Sequence, residues 1–174
     1  MQISLRRATT QDVKALAAIA ATTFYDTFTG TCTEADMQQF LYEYYNEELV
    51  QKELEDDSYG FYFAEVDNLP VGYLLIKEDY KGLPLMQQWK ALQLKRIYIL
   101  KQYHGKGVAQ ALMNFAIEFA QQQAYEVLWL GVWEHNHRAQ SFYAKYGFKN
   151  SGYTQDFPIG NTPQTDIWLW KFLN

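Results

Sequence analysis

Leu94-Lys95-Arg96-Ile97-Tyr98-Ile99-Leu100-Lys101-Gln102-Tyr103-His104-Gly105-Lys106-Gly107-Val108-Ala109 is the stretch that decides the fold. Its first part, Leu94 to Leu100, is rich in β-branched residues and reads as a strand. Beyond it, Ala109, Leu112, Met113, Ala116, Phe119 and Ala120 recur at the spacing of one helical face. Gly105 and Gly107 lie between the two. A strand, a tight glycine turn and a helix start expose several backbone N–H groups at the positive end of a helix dipole, a geometry that binds phosphate. Glycines that only supply positive φ would make the same turn without a ligand. Spacing narrows the choice of binder. A P-loop needs Gly-x-x-x-x-Gly-Lys and then Ser or Thr, whereas Lys106 is followed by Gly107, so magnesium would lack its hydroxyl ligand. A dinucleotide fingerprint needs a third glycine, which is absent.

Working outward, Ile3 to Arg7 alternates like a strand, and Thr10 is a candidate cap for a helix with Val13, Leu16, Ala17 and Ala20 on one face. Thr33 can cap a second helix with Met37, Phe40, Leu41 and Tyr44 inward, ending near Glu55-Asp56-Asp57. Tyr59 to Val66 and Val71 to Lys77 read as paired strands joined by a turn around Asp67-Asn68-Leu69-Pro70. Tyr80 to Lys90, with Gly82 and Pro84, reads as a loop. After the glycine turn and its helix to about Gln123 come a buried strand, Val127 to Val132, and a helix from about Asn136 to Tyr146, with Gly147 as its C-cap. Strands near Phe148 to Gln155 and Thr165 to Phe172 close the chain. No repeat, low-complexity tract or linker interrupts it, so the expectation is one mixed α/β domain over 1–174.

Composition bounds the function. With 174 residues, 48% of them hydrophobic and 20% charged, the chain is long enough for a real core and too apolar for disorder. A net charge of −5 argues against nucleic acid, which wants basic surfaces. No apolar run approaches the ~18 residues of a membrane span, and no signal segment is visible at the N-terminus. Cys32, the sole cysteine, permits no internal disulfide and points to a reducing cytoplasm. It sits without a nearby histidine, which argues against a nucleophilic thiol. His135 and His137 form a His-x-His pair with no evident third ligand, so no metal is expected.

Gln102-x-x-Gly105-x-Gly107-x-Ala109 between a strand and a helix resembles the pyrophosphate loop of the GCN5-related N-acetyltransferase (GNAT) family, which cradles coenzyme A. The run from Trp129 to Phe148, an apolar strand followed by Asn136, a helix carrying Phe142-Tyr143 and the stop Gly147-Phe148, resembles that family's second signature. Thr23 to Phe28, Arg96 to Ile99, Trp129 to Asn136 and Gln164 to Asp166 look closest to the PaiA-like polyamine N-acetyltransferases. The resemblance spans essentially the whole chain. It implies an α/β (α+β) fold: a mixed, mostly antiparallel, twisted sheet of about seven strands with splayed central strands, flanked by about four helices. It implies acetyl-CoA as co-substrate, no metal, and direct attack by a primary amine of a small polyamine such as spermidine. It also leaves room for a homodimer.

Residue roles follow from the same resemblance. Backbone N–H groups of His104, Gly105, Lys106, Gly107, Val108 and Ala109, with Gln110, would hold the pyrophosphate, and Gln102 would support the turn. The main chain of Ile97, Tyr98 and Ile99 would pair with the pantetheine arm. Asn136 would cap its helix and bond the pantetheine amides, although the cap alone explains it. Tyr143 is the candidate general acid. A thiol titrates near 8.5 and a phenol near 10, so full proton transfer to the thiolate is uphill by roughly 2 kcal/mol, and a hydrogen bond to sulfur is the more economical role. Many relatives carry glutamates on the strand before the loop, where this chain has Gln93 and Lys95. The base therefore falls to Glu134, through a water, or to Asp26. Phe24, Tyr25, Asp26 and Phe28 form the expected acceptor site, with Tyr42, Tyr44 and Tyr45 beside Glu43, Glu47 and Glu48 suiting an alkylammonium chain; core packing is the competing account of each aromatic. Two alternatives remain: an acceptor that is a protein N-terminus, amino acid or drug-like amine, and a coenzyme-A-binding sensor without turnover.

Overall fold

The computed structural model describes residues 1–78 and 84–173. Among the described residues, twelve helices and strands follow one another. They are β1 (Ser4–Arg7), α1 (Val13–Phe28), α2 (Glu34–Tyr44), α3 (Glu47–Glu55), β2 (Tyr59–Val66), β3 (Leu69–Lys77), β4 (Ala91–Ile99), α4 (Val108–Gln122), β5 (Val127–Trp133), α5 (His137–Lys145), β6 (Lys149–Asp156) and β7 (Thr165–Phe172). The strands form one seven-stranded sheet in the order β1-β2-β3-β4-β5-β7-β6. Only β4 and β5 pair in parallel, and α4 is the crossover that a parallel pair requires. This is the mixed, mostly antiparallel sheet that the resemblance implies.

Strand β3 shows why the layers form. Its side chains alternate between two covered faces: Leu74 and Ile76 pack with Leu112, Met113 and Ala116 of α4, and Tyr73 and Leu75 pack with Leu16, Ala20 and Phe24 of α1. A strand buried on both faces reads as a continuous apolar run, as Val71 to Ile76 does.

Local chemistry moves several expected boundaries. Asp67 and Asn68 both take positive φ (53° and 61°), forming the two-residue hairpin turn that matches strand twist, so Leu69 and Pro70 belong to β3. Thr9, not Thr10, is the cap: its hydroxyl accepts from the Gln11 N–H while Asp12 accepts from the Thr9 N–H, and α1 starts only at Val13. The stretch read as one helix from Thr33 is two. Asn46 accepts from the Leu49 N–H at 2.9 Å as the cap of α3 and donates to Tyr42 O at 2.9 Å. This break turns Tyr45 inward and leaves Tyr44 exposed, the reverse of the expected phase. Within the expected 80–90 loop, Tyr80 and Gly82 lie outside the described residues, and Pro84–Gln88 make a 3-10 turn.

Two irregularities of β4 create the site. It pairs with β5 only from Ala91 to Gln93; beyond that the strands part. Its register against β3 jumps from Leu75↔Arg96 to Ile76↔Leu94, leaving Lys95 as an extra residue. Such a bulge re-aims side chains, and here Lys95 and Arg96 both reach Glu53 of α3.

Candidate active site

A cavity of about 650 Å³ occupies the gap between the splayed strands. One end meets the glycine turn. Gly105 and Gly107 take φ of +76° and +86°, and α4 starts at Val108 with no side-chain cap on its first turn. Ala111 is the first helical N–H to reach back, to Gly107 O at 3.0 Å. The N–H groups of Val108, Ala109 and Gln110 precede any intrahelical acceptor, so the dipole's positive end is open to an anion. His104 donates from Nε2 to Ile99 O (2.9 Å) and accepts at Nδ1 from Arg138 Nη1 (2.7 Å). That pairing fixes the tautomer and holds a guanidinium beside the turn. Nothing in the sequence joins these residues, 34 positions apart, and Arg138 was absent from the expected set.

Ile97, Tyr98, Ile99, His104, Gly105, Ala109, Gln110 and Asn136 all line the cavity. Gln102, Lys106, Gly107 and Val108 do not; Gln102 and Lys106 are exposed and Val108 is in the core, which leaves them main-chain or turn roles. Asn136 accepts from the Ala139 N–H at 3.1 Å as the cap of α5.

Tyr143 and Asp166 line the middle of the cavity. Burial, with the charge of Asp166 adding to it, pushes the Tyr143 phenol well above its ordinary value. The Asp166 carboxyl is itself pushed up by burial, from 3.8 to about 6. Gly131 of β5 makes room for it: a Cβ there would lie 2.9 Å from Asp166 Oδ2. Glu134, the expected base, does not line the cavity and is exposed, with its carboxylate 3.7 Å from His135. Glu134 lies in the turn just past the end of β5, outside the splayed strands that wall the cavity. Asp166 belongs to the Gln164-Thr165-Asp166 patch that carried part of the resemblance, but only burial distinguishes it from Glu134.

The far end is aromatic. Phe24, Asp26 and Phe28 line it as expected, with Phe24 stacked on Phe40 at 4.9 Å and Phe28 against Trp133 at 5.0 Å. Asp26 pairs with Lys101 at 3.3 Å. Tyr25 does not reach the cavity; it projects toward α2 and donates to Glu34 at 3.1 Å. Tyr42, Tyr44, Glu43, Glu47 and Glu48 also lie outside the lining, so the acidic-aromatic acceptor patch is not assembled. In its place stands Arg96, its guanidinium 4.8 Å above the Tyr45 ring and 3.4 Å from Glu53.

Residues 21–148 match the model of the acetyltransferase (GNAT) family. A relative from Lactobacillus delbrueckii subsp. lactis, an uncharacterised N-acetyltransferase in the pepI 3′ region, is 35% identical over 163 residues, 94% of this chain and 93% of its own length. An uncharacterised N-acetyltransferase of Mycobacterium bovis is 33% identical over 89% of this chain and 94% of its own. Among solved structures, the PaiA N-acetyltransferase of Thermoplasma acidophilum in complex with coenzyme A shares the fold with a TM-score of 0.78 at 21% identity, covering 99% of this chain and all of that one. Arabidopsis thaliana NAA60 in complex with a bisubstrate analogue shares it with a TM-score of 0.75 at 15% identity, covering 99% of each chain.

Proposed function

Since the chain belongs to the GNAT family and is an acetyl-CoA-dependent N-acetyltransferase, we propose that it transfers acetyl directly to a primary amine of a small acceptor seated beside Asp166 and Tyr143. One observation carries this reading: an uncapped, glycine-flanked helix start and a half-buried carboxylate without an ion-pair partner among the described residues open into the same cavity. Acetyl-CoA supplies an activated thioester. The N–H groups of Gly105 and of the first turn of α4, with Arg138, suit its pyrophosphate, and the main chain of β4 from Ile97 to Ile99, left without a β5 partner, suits the pantetheine amides. Asp166 takes the proton that a protonated amine must lose; a carboxyl at about 6 is ionised near neutrality yet basic enough to share it. The amine nitrogen then forms the new C–N bond as the C–S bond breaks, and the second proton that the nitrogen sheds passes through solvent to the departing thiolate. The Tyr143 hydroxyl donates to the departing sulfur. Its raised value keeps that proton in place, which makes it a hydrogen-bond donor rather than a proton source.

The finer reading, a polyamine acceptor, rests on the resemblance, the shared fold of a PaiA enzyme and the cavity carboxylates Asp26 and Asp166. It has lost the glutamates of α2 and α3. Thiol release from acetyl-CoA across mono-amines, spermidine, amino acids and N-terminal peptides tests the whole reading. Turnover with at least one amine, abolished by Asp166→Asn, is expected; tight acetyl-CoA binding with no transfer to any amine would overturn it in favour of a sensor.

A further inference from the structure

The acceptor end of the cavity holds two unneutralised charges of opposite sign. Lys95 and Arg96 share one carboxylate, Glu53, at 3.5 and 3.4 Å, so this cluster keeps one positive charge in excess among the described residues. It is held in low dielectric: the Lys95, Arg96 and Glu53 side chains are 29%, 14% and 19% exposed. An excess buried cation is costly until an anion meets it. Asp166 is not that anion: both cations reach Glu53 instead, and among the described residues Asp166 forms no ion pair with either. Tyr143 of α5 and Tyr45 at the end of α2 feel its charge, and its sheet neighbours are Trp133 and Gln155.

Building on the transferase reading, we infer that the acceptor is an amino-acid-type zwitterion, its amine at Asp166 and its carboxylate at Arg96. A carboxylate carries the single negative charge the cluster lacks and matches the planar fork of a guanidinium. A polyamine satisfies Asp166 but sets a second ammonium beside Arg96 and Lys95. The aromatic wall of Phe24, Phe40 and Tyr45 suits an apolar side chain.

Matched pairs differing only in the carboxylate test this on the intact enzyme: phenylalanine against phenethylamine, lysine against cadaverine, with spermidine and phenylalanine amide alongside. The expected result is kcat/KM at least tenfold higher for each carboxylate-bearing member. Arg96→Met should erase that gap chiefly through acceptor KM, and Arg96→Lys, which keeps the charge and loses the fork, should restore part of it. The wild-type pairs decide the matter even if Arg96→Met fails to fold. Equal rates within the pairs, or spermidine or the amide outrunning the amino acids, would overturn the inference and leave the transferase reading standing. Silence with every amine would overturn both.

Discussion

Asp166→Asn should make the protein more stable and less active, and the size of each effect follows from the site. The folded chain holds the Asp166 carboxyl at about 6 against an ordinary 3.8. Above about pH 6 the fold therefore bears the full cost of an ionised, largely buried carboxylate. That cost fades as pH falls through 6 and vanishes below 3.8, where folded and unfolded chains are both protonated. The step from 3.8 to about 6, at about 1.4 kcal/mol per pH unit, amounts to about 3 kcal/mol. Asparagine fills the same space without the charge, so unfolding at pH 8 should show a gain of about 3 kcal/mol, or about 6–12 °C in Tm for a chain of this size, and no gain at pH 3.5. Loss of the proton acceptor should lower kcat/KM by about 10²–10⁴ at pH 7, and the wild-type acidic limb near pH 6 should disappear. Urea unfolding at the two pH values and thiol-release kinetics from pH 5 to 9 measure both. A variant no more stable than wild type at pH 8, or one retaining a third of its activity, would refute the reasoning.

Tyr143→Phe should reduce kcat by about 10²–10³ with acetyl-CoA KM little changed, since the hydrogen bond is needed only as charge develops on sulfur; steady-state kinetics read the split. Arg138→Ala should raise acetyl-CoA KM several-fold and flatten its dependence on ionic strength while kcat holds, as the proposed pyrophosphate role of this cation, held by His104, requires. Gly107→Ala forces a side chain into φ +86°, at about 1–2 kcal/mol; no atom lies closer than 3.9 Å to the added Cβ, so chemical denaturation should report backbone strain alone, together with weaker acetyl-CoA binding.

The parts of this protein legible in its sequence are those where one local rule acts alone. Seven strands and the α4 helix follow from periodicity, and the glycine turn before α4 follows from Gly105 and Gly107, whose positive φ only glycine accepts freely. Thr33 and Asn136 cap α2 and α5 as their side chains dictate. What escaped was decided by competition. Asn46 can continue a helix or cap one, and capping won, which put Tyr45 rather than Tyr44 into the cavity. Glu134 lies in the turn after β5 and Asp166 on β7 beside it; which carboxylate enters the cavity depends on where β5 ends and on the missing Cβ of Gly131, and neither is visible until the strands are paired. The bond from Arg138 to His104 needs the sheet and α5 already docked.

These misses share a cause. An element with unbroken periodicity sends its apolar residues inward and its polar residues to water, so it cannot deliver a charged group to a buried site. A phase slip can. The extra residue at Lys95 in β4 and the break at Asn46 between α2 and α3 are two such slips: the first sets a second cation beside Arg96 on Glu53, and the second turns Tyr45 inward, 4.8 Å from the Arg96 guanidinium. A single-residue deletion at Lys95 should therefore restore regular β4 pairing, keep Arg96 opposite Leu75 and leave it neutralised by Glu53 alone, removing the excess charge on which acceptor selection is proposed to rest. The glycine turn lies beyond the bulge, and β4 from Ile97 to Ile99 keeps its pairing with Gly72 to Leu74. Acetyl-CoA binding should then survive while discrimination among acceptors collapses, a separation that a generally misfolded enzyme would not show.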